Sequence, residues 1–137
     1  MSDKARILVV EDDASVRQLI RTGLGRADYE VHVARDGKEA LEAIARIQPD
    51  AMVLDINMPE LDGFGVLEAL REKPEGLRPA TMILTARHAE DDVRRAMALG
   101  AKDYLTKPFS ETQLMRRIAR LLRPPYPAPR GDSALIG

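Results

Sequence analysis

Five short apolar segments alternate with five amphipathic ones along the 137 residues, and this alternation constrains the fold more than any single motif. The apolar segments cover residues 6–10, 30–34, 51–56, 81–86 and 103–106; each is brief and bounded by polar or turn residues, as strands are. Between them apolar side chains recur at helical spacing. The sets are Val16, Leu19, Ile20 and Leu24; Ala40, Leu41, Ile44 and Ile47; Phe64, Leu67 and Leu70; Val93, Ala96, Met97 and Leu99; and Leu114, Ile118, Leu121 and Leu122. Asp13 or Ser15 can cap the first helix, while Pro49, Pro74, Gly100 and Pro124 stop the other four. Gly23 and Gly25 weaken the end of the first. Strict alternation with short links predicts one α/β domain, a parallel sheet with helices on both faces. Segments 7–10 and 51–54 read as the most buried strands, and 103–106 as an edge.

The bulk properties narrow the function. A formal net charge of −1, with 31% charged residues, argues against binding nucleic acid or an anionic membrane by bulk charge. The absence of cysteine excludes disulfides, thiolate metal sites and thiol catalysis. His32 and His88 stand alone in sequence, which disfavours a histidine-ligated zinc. No stretch reaches the ~20 apolar residues of a membrane span, so the expected compartment is the cytoplasm. Residues 5–123 are expected to form the domain, and the Pro-rich stretch 124–137 a linker or frayed tail. Its Arg130-Gly131-Asp132 tripeptide is read as coincidence.

Ligands of open parallel sheets gather at the carboxyl ends of the strands. Here Ile7-Leu8-Val9-Val10 runs straight into Glu11-Asp12-Asp13. Crowded carboxylates raise one another's pKa unless a cation neutralises them, so the cluster points to a hard metal ion. The third strand ends at Asp55-Ile56-Asn57, the fourth at Thr85-Ala86 and the fifth at Thr106-Lys107-Pro108. Carboxylates and a backbone carbonyl suit Mg²⁺; an ammonium and a hydroxyl suit the remaining oxygens of a phosphoryl group. Taken singly, an Asp after a strand is ordinarily a helix cap, and Asp13 fits that role. Thr85 alone is a strand residue, Lys107 a solvated charge and Tyr104 a packing residue. Their joint occurrence at strand ends expected to converge argues for a site.

These residues resemble a known family. Val9-Val10-Glu11-Asp12-Asp13, Leu54-Asp55-Ile56-Asn57-Met58-Pro59, Leu61-Asp62-Gly63, Leu84-Thr85-Ala86 and 100–109, Gly-Ala-Lys-Asp-Tyr-Leu-Thr-Lys-Pro-Phe, are similar to the receiver domains of two-component response regulators. The resemblance implies a flavodoxin-like (βα)5 domain with strand order 2-1-3-4-5. It makes Asp55 the phosphoacceptor nucleophile, Asp12 a direct Mg²⁺ ligand, Glu11 a ligand through water, and Asn57 a ligand through its backbone carbonyl. Lys107 and the Ala86 backbone N–H would contact the phosphoryl oxygens, and the bond from Lys107 to Pro108 would be cis. Thr85 and Tyr104 would form the switch, and Gly63 would permit a tight turn before the third helix. Asn57 and Arg87 would stand beside the hydrolytic water path.

The same resemblance implies a histidine kinase or phosphotransfer protein as donor. It places a downstream effector on the face of the fourth helix, fifth strand and fifth helix, with no nucleic acid or membrane bound directly. Ion pairs across that face hold some receivers as dimers; Asp103 and Arg117 could supply one, but Val93 and Gln113 cannot supply others. An exposed Val93 could add an apolar contact instead. The expected state is therefore a monomer or a weak phosphorylation-dependent dimer, acting as a signalling phosphoacceptor rather than as an enzyme. Two other readings stand beside this one. A small Mg²⁺-dependent phosphatase of the haloacid dehalogenase type also uses an aspartate nucleophile, but it needs a second aspartate where Asn57 stands. A non-phosphorylated flavodoxin-like binding module would lack Mg²⁺ affinity.

Overall fold

The computed structural model describes residues 4–123, so the tail expected at 124–137 lies outside the described residues. Strands β1 (Arg6–Val10), β2 (Glu30–Ala34), β3 (Ala51–Asp55), β4 (Ala80–Thr85) and β5 (Asp103–Thr106) alternate with five helices. These are α1 (Ala14–Arg26), α2 (Gly37–Ile47), α3 (Gly63–Leu70), α4 (Glu90–Ala98) and α5 (Glu111–Leu122). All strand pairs are parallel, in the order β2-β1-β3-β4-β5, the doubly wound arrangement expected from the sequence. Alternate residues of each central strand enter different cores. Leu8, Val10, Met52, Leu54 and Ile83 pack beneath α2, α3 and α4, whereas Ile7, Val9, Val53, Met82 and Leu84 pack beneath α1 and α5. Two-sided burial explains why these strands read as continuous apolar runs.

Caps and stops follow local chemistry. Asp13 caps α1 by accepting from the Ser15 and Val16 N–H groups, and Ser110 and Gln113 form a reciprocal capping box on α5. Gln48 ends α2 in the left-handed conformation just before Pro49, and Gly100, at φ 114°, follows α4. A short 3₁₀ turn, Glu75–Leu77, which the apolar spacing does not announce, follows Pro74.

Several expectations change in detail. Ile56 lies outside β3 yet is buried, and β4 starts one residue earlier and ends at Thr85. α1 runs through Gly23 and Gly25 to Arg26. Gly23 is buried there, and a Cβ would stand 3.4 Å from the Glu111 side chain, so α5 occupies the space. Leu19 and Met97 match the helical spacing but are exposed, whereas Val93 is half-buried against the core. Asp103 pairs within the chain, its Oδ1 2.7 Å from Arg117 Nη1 and its Oδ2 3.5 Å from Arg120 Nη2. Among the described residues no helix is long and apolar enough to cross a membrane.

Candidate functional site

Strand order reverses between β1 and β3, and the groups singled out from the sequence collect at that end of the sheet. Three ladder hydrogen bonds reach one residue past the strands and fix their backbones: Glu11 N–H to Ala34 O at 3.1 Å, Ile56 N–H to Leu84 O at 3.3 Å, and Lys107 N–H to Thr85 O at 2.8 Å. Glu11 and Asp55 are buried beside one another, with Asp12 exposed at the rim. One carboxylate oxygen from each of Glu11, Asp12 and Asp55 lies within 4.8 Å of the other two. Such a set of hard oxygen donors fits a divalent cation such as Mg²⁺.

Lys107 supplies the opposing charge. Its Nζ is 3.1 Å from Glu11 Oε1 and 3.5 Å from Asp55 Oδ2. Burial works against the Lys107 charge, but the pairing with Glu11 and Asp55 outweighs it and raises the ammonium pKa. Burial pushes the Glu11 carboxyl up to about 7, and the negative Asp55 adds to the shift; the Asp13 N–H and Lys107 pull the other way. Glu11 Oε2 accepts from Asp13 N–H at 3.1 Å, and Asp55 Oδ1 accepts from Asn57 N–H at 3.2 Å. The bond from Lys107 to Pro108 is cis, as expected.

Gly63 serves this site by close approach. An added Cβ would lie 2.8 Å from Asp55 O and from Ile56 Cα, and Gly63 N–H donates to Ile56 O at 3.0 Å. The first residue of α3 therefore leans directly on the backbone that carries Asp55, a reason different from the tight turn expected. Thr85 ends β4 with its Oγ1 buried and without a hydrogen-bond partner among the described residues. Tyr104, 41% exposed, borders a cavity of ≈ 290 Å³ that Thr85, Ala86, Val93 and Thr106 also line. Ala86, Arg87 and Asn57 are exposed. The sequence reading missed Arg17, whose guanidinium donates to Glu11 O. Its one sequence signal is a basic residue one turn into a helix that follows an acidic turn.

The family model described as response regulator receiver domain matches residues 7–119. The chain belongs to the response regulator receiver family. It is 44% identical over 131 residues to the response regulator MprA of Mycobacterium leprae, a match covering 96% of this chain and 57% of that protein. The receiver thus spans little more than half the length of such curated relatives. Among solved structures it is similar to the chemotaxis response regulator CheY4 of Vibrio cholerae, with a TM-score of 0.81, 33% identity, and coverage of 87% of this chain and 99% of that one. The signal receiver domain of a response regulator from Bermanella marisrubri aligns with a TM-score of 0.80 and 33% identity over 88% of this chain and all of that one. This is the receiver of a two-component system, and the acidic cluster fits a phosphoacceptor site. The phosphatase and structural-module readings gain no support.

Proposed function

We propose that this receiver accepts a phosphoryl group on Asp55 from a histidine kinase or histidine phosphotransfer protein. One observation carries the assignment: Asp55, which stands in the receiver motif Leu54-Asp55-Ile56-Asn57-Met58-Pro59, is buried in a cluster of three carboxylates with the Lys107 ammonium 3.5 Å from its Oδ2. Glu11, Asp12 and Asp55, joined by the backbone carbonyl of Asn57, would hold Mg²⁺. The bound cation supplies the counter-charge that lets a phosphoryl group approach these acids.

Asp55 attacks phosphorus to form an acyl phosphate, and the phosphorus–nitrogen bond of the donor breaks with its electron pair leaving on the imidazole. Lys107 and the Ala86 N–H contact the phosphoryl oxygens, so the chain contributes alignment and charge neutralisation. Thr85 turns its unpartnered hydroxyl toward the phosphoryl group. Tyr104 then moves from its exposed position toward the cavity beside it, biasing a two-state equilibrium. The face of α4, β5 and α5 passes the signal to an effector domain or protein. The receiver works in the cytoplasm as a signalling phosphoacceptor and turns over no separate substrate.

Incubation with Mg²⁺ and a small phosphodonor such as acetyl phosphate, read by intact mass, tests the assignment. The wild-type receiver gains one acid-labile phosphoryl group and Asp55→Asn gains none. Stoichiometric phosphorylation of Asp55→Asn would refute it.

A further inference from the structure

Three successive carbonyls of the acidic turn are engaged by a single residue. Arg17 Nη1 donates to Glu11 O at 2.8 Å and to Asp12 O at 3.4 Å, while the Arg17 backbone N–H donates to Asp13 O at 2.9 Å. Arg17 sits one turn into α1 and is half-buried. A cation this close to the positive end of a helix dipole is unfavourably placed, and the one acid at the start of α1, the N-cap Asp13, is taken up by the Ser15 and Val16 N–H groups. The carbonyls hold the guanidinium there, and in return it fixes the peptide planes from which the Glu11 and Asp12 side chains depart.

We propose that Arg17 is a positioning residue for the divalent-cation site. It acts through the peptide groups of Glu11 and Asp12 and never through the ion. The inference deepens the phosphoacceptor reading and rests on it. The direction of the effect separates two physical roles. A nearby positive charge by itself repels a divalent cation, so its removal tightens binding. A clamp that orients two carboxylates weakens binding when it is removed, and the short bond from Arg17 Nη1 to Glu11 O, shared at 3.4 Å with Asp12 O, makes the clamp the larger effect.

Isothermal titration of the full chain with MgCl₂ is the test, with Arg17→Met and Arg17→Lys beside the wild type. The expected result is Mg²⁺ binding about 10-fold weaker for Arg17→Met, with partial recovery in Arg17→Lys, which keeps the charge and one donor. In acetyl phosphate assays the Mg²⁺ concentration for half-maximal phosphorylation rises by the same factor, while the rate at saturating Mg²⁺ stays within about twofold. Thermal unfolding in EDTA confirms that each variant is folded. Tighter binding by Arg17→Met would make the residue a mere charge and overturn the proposal. Unchanged affinity in both variants would make it a packing residue, also overturning it. A wild-type receiver that binds no Mg²⁺ would instead overturn the phosphoacceptor reading.

Discussion

Glu11→Gln is expected to stabilise the Mg²⁺-free receiver at alkaline pH, although it removes a charged residue paired with a lysine. The Glu11 carboxyl rises from 4.5 to about 7 because burial disfavours its charged form and Asp55 repels it. An acid whose folded pKa is raised contributes stability below its unfolded value of 4.5. That contribution is lost as the pH climbs through about 7. At pH 8 the folded chain therefore carries a cost set by the difference between those two values, about 3 kcal/mol. Glutamine keeps the shape and an acceptor for the Asp13 N–H, and it has no charge to desolvate. Part of the gain is returned because the single amide oxygen faces the Asp13 N–H, which turns the amide N–H₂ toward the Lys107 ammonium, donor against donor. A net stabilisation of about 1–2 kcal/mol remains, or roughly 3–10 °C in Tm for a domain of this size.

The assay is thermal unfolding of wild type and variant in EDTA at pH 8 and pH 5, repeated with excess MgCl₂. At pH 5 the folded Glu11 is mostly protonated, and the difference between the two proteins falls below about 1 kcal/mol. Added Mg²⁺ raises the wild-type Tm by mass action and leaves the variant almost unmoved. A variant less stable than wild type at pH 8 in EDTA would refute the reasoning. So would a gap of equal size at both pH values, because a charge-desolvation cost must titrate.

The remaining expectations follow from contacts at the same sheet edge. Gly63→Ala pushes a methyl group to within 2.8 Å of the Asp55 carbonyl, so it costs about 1–3 kcal/mol in urea denaturation and slows phosphorylation by small donors. Normal stability of that variant would show that α3 can shift freely. Thr85→Ala removes a buried hydroxyl that has no partner, so stability holds within about 1 kcal/mol. Phosphorylation by acetyl phosphate persists, while effector binding no longer responds to it. Arg117→Ala leaves Asp103 its longer contact with Arg120 and the hydrogen bond it accepts from the Tyr104 N–H. On a surface pair of this kind the loss is below about 1 kcal/mol by thermal unfolding.

The fold was legible because two-sided burial imprints itself on every strand. The central runs of β1, β3 and β4 are apolar on both faces to serve both cores, and they bring Glu11, Asp55 and Thr85 to one edge as a consequence of parallel winding. Helix exposure was less legible. Leu19 and Met97 carry the right spacing but fall outside the buried stripe, since periodicity gives a face but not its width. The ion pair of Asp103 with Arg117 inside this chain depends on how β5 and α5 pack, which spacing alone does not give.

The site divides along the same physical line. The charged and hydroxyl side chains proposed for the site were legible, because Glu11, Asp12, Asp55, Thr85 and Lys107 are costly or unusual where the strands end. Residues with a backbone role were named only through the family motifs, as Gly63, Asn57 and Ala86 were, or not at all, as with Arg17. Gly63 matters because of the carbon it lacks, which lets α3 rest on the Asp55 peptide. Arg17 grips carbonyls that every residue possesses, so its partners carry no signature in the sequence. The chemistry is therefore written in side chains and its precision in peptide geometry. Comparing Gly63→Ala with Arg17→Met separates the two supports: the first is expected to disturb Asp55, which is both nucleophile and cation ligand, and so the rate at saturating Mg²⁺, whereas the second is expected to change Mg²⁺ affinity alone. A receiver in which both variants lowered the rate at saturating Mg²⁺ equally would have a single rigid edge rather than two separately held parts.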